Sequence, residues 1–455
     1  MQPDQMNISG NDAHSEYELN HAMLMSVLTE RENSIMADAG ERTFTISIER
    51  VLYDHTTRTM VRFDGQSGIE AMLGELVSLY PGCVEEWHDG HLMGLSTAAS
   101  KHLVGCPMIV ELGPGGQVIC KVGPSQSVVE MLDALQGFDR AVHVASRNLG
   151  CDYALLSEGY NSFVDTPLDV PLVPRTKWTL MSAYLSQTGR YARDAMRCAC
   201  AMHLSLDFSS ERDGLAIYRL GTALTPLLMF LTDNVRSFRG SGARRCPNMT
   251  RAIIWEEVDP KRCGIVPGTF DSAFSFDRYV EWLEGLSPIL ATTEDDEVSS
   301  TGKRTLRQVM EAGPFSTSQT LHAFDIALPF VRLGESIEFL QIDALRPRMA
   351  ASICAFVKGL FCDARSVDAV WSMLSFVKES DVQDALFELR LRGWNAPVYG
   401  QRVTDLVAKL VGISRAGLQD PTERRLLDEM TELWDFSMVP RDAFIHQEVK
   451  ANRGW

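Results

Sequence analysis

The chain has little that would place it outside ordinary globular proteins. Its cysteines number ten, none in CxxC spacing, so neither a zinc cluster nor a disulfide framework is expected, and they read as reduced thiols of a cytoplasmic protein. Basic residues are scarce: 43 Lys and Arg stand against 60 Asp and Glu, a net charge of -17. A general nucleic-acid or DNA coat, which needs a basic face, is thereby excluded. The longest apolar stretch, Leu224 to Leu231, is too short to cross a bilayer, so no membrane association is expected. The first residues, MQPDQMNISGNDAHSE, have neither the basic nor the apolar stretch of a secretion signal. No internal repeat is visible.

What is present is a 455-residue chain, 45% apolar and 23% charged, with ample material for a large core. Residues 1–15, rich in Asn, Asp, Gln and Ser, are expected to be disordered. Helical spacing runs from Tyr17 to Arg31. Thr43 to Tyr53 alternates between apolar (Phe44, Ile46, Ile48) and polar (Thr45, Ser47, Glu49) positions and predicts a strand with one polar face. Ile69 to Leu79 predicts a helix closed by Pro81-Gly82. Met108 to Cys120 predicts two strands around a Gly113-Pro114-Gly115-Gly116 turn. Ser127 is a plausible N-cap for the helix that follows.

Met202 to Phe208 predicts another alternating strand, with a helix running on to about Met229. Thr292 to Lys303 reads as a charged loop, Pro329 to Phe339 as a strand pair, and Ala350 to Glu432 as mostly helix. Strands dispersed among helices, without regular β-α-β alternation, indicate an α+β fold. The expected division is a core over residues 16–345, with a helical part over 346–455 packed on the same core. A sequence cluster of Arg236, Arg239, Arg244, Arg245 and Arg251 reads first as a solvated loop.

The run RAIIWEEVDPKRCGIVPGTFDSAFSFDRYV, Arg251 to Val280, carries the most specific signal. It resembles the plant-type glutamate–cysteine ligases, in which R-S-x-I-W-x-x-x-D-x-x-R-x-G precedes F-D-x-x-F-x-F-x-R-Y-V. Arg251, Trp255, Asp259, Arg262, Gly264, Phe270, Asp271, Phe274, Phe276, Arg278, Tyr279 and Val280 fall in register. The resemblance extends roughly from Thr43 to Asp343. It implies a cupped, mostly antiparallel sheet flanked by helices, the glutamine-synthetase-like glutamate–cysteine ligase fold, with Glu49, Gln117, His203, Arg251 and Glu338 on the concave face. It also implies ATP and Mg²⁺ as cofactors and a small amino acid or amine as substrate.

Carried over residue by residue, the resemblance makes Glu49, His203 and Glu338 the catalytic candidates. Gln117, Lys177, Arg251, Trp255, Arg262 and Arg332 become the substrate-binding candidates, and Glu49 and Glu338 the remaining metal ligands. Ser47, Ile119, Gln126 and Phe330 stand where the family pattern has acids, and Leu340 where it has an arginine. Isoleucine and phenylalanine offer Mg²⁺ no oxygen, so fewer magnesium ions are expected than in a complete ligase. The retained arginines suit the bidentate grip of a carboxylate. Bland alternatives accompany each: Glu49 and Glu338 as partners in structural ion pairs, Arg262 and Arg332 as partners of buried carboxylates, His203 as a packed, hydrogen-bonded histidine.

Three functions follow from the resemblance. The first is a glutamate–cysteine ligase-like enzyme forming an amide or ester by transferring an aminoacyl or glutamyl group to a small nucleophile. The second is an ATP-independent aminoacyl transferase using a pre-activated donor such as an aminoacyl-tRNA. The third is a non-catalytic homologue that binds an amino acid or a partner protein. The acidic net charge weighs against a tRNA donor and the arginine cluster for one.

Overall fold

The computed structural model describes residues 10–29, 42–100, 105–242, 246–292 and 298–443. One large antiparallel sheet organises them. Its strands lie in the order Val331–Leu333, Ile337–Asp343, Ala201–Leu206, Phe44–Asp54, Gln117–Ser125, Met108–Leu112, His91–Ser96, Val84–His88. Thr59–Met60 and Tyr153–Leu156 pair with the far end of the Phe44–Asp54 strand. The fold is thus the expected α+β arrangement around an antiparallel sheet.

Alternation in the sequence decides which way each strand faces. Phe44, Ile46, Ile48, Val118, Cys120, Val122, Met202, Leu204, Leu206 and Phe339 are fully buried. Against that apolar side pack the helices Ile69–Leu79, Val128–Asn148, Glu211–Leu231 and Pro347–Phe361. The Glu211–Leu231 helix is long and apolar enough to cross a membrane by composition alone, yet most of it lies buried inside the molecule. Apolar positions on all sides of a helix suit a core element surrounded by protein. Residues Met349 to Val439 join the same continuous apolar cluster as the sheet.

Several elements coincide with the sequence reading. Ile69–Leu79 is a helix, and Ser127 caps the Val128–Asn148 helix by accepting from the Glu130 amide. The Gly113–Gly116 turn joins two paired strands. It packs so closely on the Ala192–Arg197 helix that a Cβ on Gly115 would stand 2.3 Å from the Arg197 carbonyl oxygen. That contact explains the glycine without a ligand.

Three expectations need correction. The first helix begins at Gly10, inside the stretch expected to be disordered, and runs to Thr29. Its buried contacts explain the ordering: Leu24 and Leu28 enter the core, and Asn20 donates to the carbonyls of Met310 (2.8 Å) and Gly313 (2.9 Å). The segment read as a charged loop contains a hairpin, Leu290–Thr292 against Val298–Ser300. Arg251 lies on the short helix Thr250–Glu256 rather than on a strand of the sheet. Residues 30–41, with Arg31 at the end of the first expected helix, lie outside the described residues, as do residues 1–9, Arg244 and Arg245.

Candidate active site

The polar side of the sheet is the face the large helices leave open. Register places its side chains. Ser47 is directly opposite His203, and Glu49 directly opposite Ile119. Ser47 also faces Lys121 across the other edge of the same strand. Ser205 is opposite Glu338, which is opposite Arg332. On the far side, Ile119 faces Glu111 and Lys121 faces Ile109. Directly opposed residues in an antiparallel pair share a face, with Cβ atoms roughly 4.5–5.5 Å apart. One surface therefore carries Arg332, Glu338, Ser205, His203, Ser47, Glu49, Lys121 and Glu111 in sequence across the strands.

Glu49 accepts the Ala201 amide at 2.9 Å. Burial nonetheless raises its pKa, against that bond and the nearby Arg251 and Lys121 charges. His203 is pushed down to about 3, by burial first and then by Arg251, Arg332 and Lys121. It is a neutral imidazole at any physiological pH. Arg332 donates to Glu338 through Nε at 2.8 Å and again through Nη2, and its Nη1 lies 2.9 Å from Asp325. Glu338 is thereby held as the partner of a guanidinium. Lys177 sits near Lys121, Arg175, Glu111 and Asp325, and burial lowers its pKa. Glu86 is raised by burial and by Glu111, against the pull of Arg175 and Lys121.

The candidates thus separate. Glu49, His203, Glu338 and Arg332 share the open face, and Lys177 lies beside it. Gln117 has the parity of that face but is 3% exposed and consumed by structure. Its Oε1 accepts the Gly115 amide, and its Nε2 donates to the Met196 and Ala199 carbonyls. Those bonds brace the glycine turn. Arg262 is likewise bonded within the fold. At 2% exposure it donates to Asp259 (2.7 Å), the Ile326 carbonyl (2.7 Å) and the Tyr184 hydroxyl (3.1 Å). Trp255 is also engaged within the fold. It gives its indole N–H to the Leu328 carbonyl at 2.9 Å and lies under the Arg251 guanidinium.

The contacts of Arg251 lie within the fold and have a physical origin. The pairing of Ile337–Asp343 with Ala201–Leu206 shifts register between Phe339 and Ile342. Such an irregularity leaves strand carbonyls unpaired. Arg251 Nη2 donates to two of them, Leu340 O and Ile342 O, and its Nε lies 3.4 Å from Asp343. Nε and Nη1, both buried, make no aligned hydrogen bond. Asp343 rises to about 7, driven by burial against the Arg251 charge.

Sequence reasoning passed over Glu86, Glu111, Lys121, Asp325 and His322. Alternation within Met108–Leu112 and Gln117–Ser125 was the available signal for Glu111 and Lys121. His322 and Asp325 lie in the Thr317–Asp325 helix, outside every matched motif, and had none.

The donor set does not fit a magnesium cluster. Among the described residues no three His, Cys, Asp or Glu side chains converge to hold a metal ion. Ile119 faces Glu49, Phe330 is a 3%-exposed core residue, and Glu338 is engaged by Arg332.

The family model for Glutamate-cysteine ligase family 2 (GCS2) matches residues 46–434, and the chain belongs to that family. Among curated relatives it is similar to glutamate–cysteine ligase B, chloroplastic, of Oryza sativa subsp. japonica, 24% identical over 319 residues, 68% of this chain and 63% of that protein. It is also similar to the chloroplastic glutamate–cysteine ligase of Arabidopsis thaliana, 25% identical over 337 residues, 70% of this chain and 63% of that protein. The chain therefore spans under two thirds of the length of these relatives. Among solved structures, a glutamate–cysteine ligase from Francisella tularensis in complex with AMP superposes with a TM-score of 0.51 at 10% identity. It covers 90% of this chain and 84% of that one, and shows the shared fold.

Proposed function

We propose that the protein is an amide- or ester-forming enzyme that transfers an aminoacyl or glutamyl group to a small nucleophile. The observation that carries this reading is the open polar face itself. Within a GCS2 chain, Lys121, Lys177 and Arg332 stand among Glu49, Glu86, Glu111 and Glu338 on a partly desolvated surface. Such a surface can orient a zwitterionic amino acid by its two charges. Its cations can also stabilise the negative charge that develops on the acyl oxygen during attack. His203, held neutral, can take the proton of the attacking nucleophile only weakly while three cations surround it. An anionic substrate against those cations would raise its basicity.

ATP is the activating reagent the family implies, and cations on this face are suited to its phosphates. The carboxylates are not suited to its magnesium ions. That mismatch favours a second reading, in which the donor arrives already activated, as an acyl phosphate, thioester or aminoacyl-tRNA. The test is incubation of the full chain with amino acids and amine acceptors, with ATP and Mg²⁺ or with a synthetic acyl phosphate, and product analysis by mass. ATP-dependent amide formation supports the ligase reading. Product from the acyl phosphate alone supports the transferase reading. No product from either, under conditions where the chain binds an amino acid, leaves the non-catalytic homologue.

A further inference from the structure

Two helices flank one strand beside the open face. Thr176–Leu185 and Thr317–Asp325 both pack against Leu290–Thr292. The first presents Lys177 and Trp178, the second His322 and Asp325. Two of their polar groups lack a protein partner. His322 Nε2 is buried without a hydrogen-bond partner, and so is Trp178 Nε1. The Lys177 ammonium stands 5.2 Å from the centre of the Trp178 ring and makes no ion pair with a described residue. Asp325, the acid that acts on it most strongly, is already bound to Arg332 at 2.9 Å.

A buried donor without an acceptor carries its full desolvation cost, so such groups in a folded protein are seldom left that way. Trp178 Nε1 and, in one tautomer, His322 Nε2 are such donors, and the half-buried Lys177 ammonium beside them adds a cation. Among the described residues, nothing on the neighbouring elements supplies their acceptor oxygen. We propose that Lys177, Trp178 and His322 form an oxyanion subsite that holds the charged oxygens, carboxylate or phosphoryl, of the substrate acted on at the open face. The inference rests on the enzyme reading above and adds two residues to it, Trp178 and His322.

The electrostatics agree. His322 is lowered by burial and by the Lys177 charge, against Asp325, so the ring is neutral and offers Nε2–H to an anion in one tautomer. Lys177 is lowered by burial first, then by the Arg175 charge, with Lys121 adding to the same repulsion, which a bound anion would relieve. Glu111 and Asp325 limit the excess of positive charge, which favours a ligand with one or two negative charges over a long polyanion.

The experiment is calorimetric titration of the full chain with L-glutamate and, separately, with AMP, for wild type, Lys177→Met and His322→Phe, beside thermal melts. Neither variant should melt far below wild type, since His322 Nε2 has no protein partner and Lys177 gives up only its contact with the Trp178 ring and unpaired attraction to nearby acids. Each should weaken the same probe, on the order of tenfold or more for Lys177→Met. Weakened glutamate binding identifies the occupant as a carboxylate, weakened AMP binding as a phosphoryl group. The inference is overturned if both variants bind both probes as wild type does, or if wild type binds neither at millimolar concentration. It is also overturned if the variants lose stability in place of affinity. Amide formation retained at wild-type affinity in both variants would sink the subsite and leave the enzyme reading standing. Lys177-dependent binding without any product would do the reverse.

Discussion

Arg262 offers the sharpest division between a residue that builds the fold and one that handles substrate. Its guanidinium, 2% exposed, donates to Asp259, to the Ile326 carbonyl and to Tyr184, and lies over the Tyr184 ring. Arg262→Ala would leave the Asp259 carboxylate, itself 4% exposed, without its counter-charge, and the Ile326 carbonyl without a donor. Removing one partner of a buried ion pair costs about 3–5 kcal/mol. The orphaned carbonyl adds roughly 1–3 kcal/mol, partly offset if water enters the space. A loss of about 4 kcal/mol is the central expectation. Unfolding entropy of roughly 2 cal/mol/K per residue gives about 1 kcal/mol/K for a chain this long, so the melting temperature should fall by about 4 °C. Arg262→Lys should recover little, because an ammonium cannot reach three acceptors arranged around a planar fork. Calorimetric melts of the two variants and wild type decide the matter. If Arg262→Ala melts within about 1 °C of wild type, or keeps its stability while losing amino-acid binding, the structural assignment is wrong and the substrate role implied by the motif returns.

Arg332→Ala should behave in the opposite sense to Arg262→Ala: a modest loss of stability at this partly open site, but loss of amino-acid binding by tens of fold, read by calorimetry; normal binding would make Arg332 structural. Ile119→Glu places a carboxylate directly opposite Glu49, so ATP binding should become magnesium-dependent in the variant; equal magnesium dependence in wild type would show that the existing acids suffice. His21 joins the first helix to the core, with Nδ1 2.7 Å from Glu284 and Nε2 3.2 Å from Asp277. Burial disfavours its charge, but those carboxylates outweigh burial and its pKa is raised. A raised folded-state pKa gives stability that is complete below the unfolded value near 6.5 and is lost as pH rises through the folded value. The melting-temperature gap between wild type and His21→Ala should therefore narrow from about pH 6 to about pH 9, and a gap that widens would contradict the assignment.

The sheet was legible because its chemistry is local. A strand such as Phe44–Asp54 alternates apolar and polar side chains, and that pattern alone says which residues meet the helices and which meet solvent or substrate. Glu49, His203 and Glu338 meet on one face for this reason: each lies on the polar parity of an alternating strand, and register then brings the strands side by side. The first helix was less legible. Gly10 to Ser15 has a disordered composition, and its helical state continues a segment anchored by Asn20, Tyr17 and His21 to residues more than 250 positions away.

The side chains whose surroundings the sequence did not reveal share one property: their motif is specific, but a motif does not say what its side chains touch. Arg251, Arg262 and Gln117 sit in the most specific motifs, and each is consumed by backbone carbonyls, amides or a buried acid. Arg251 in particular answers a break in strand pairing that involves Leu340 to Ile342, about 90 positions downstream, and no local pattern announces that break. Lys177 has the opposite character. It is a long flexible cation that packs on the Trp178 ring but has no hydrogen-bond or ion-pair acceptor among the described residues. The residues that hold a fold together are recognised by acceptors they already have, and those that hold a ligand by acceptors they lack. By that criterion Lys177 and His322 are the ligand-holding candidates beside this face, whereas Arg332, paired with Glu338 and Asp325, and Lys121, 3.5 Å from Glu111, already have acceptors.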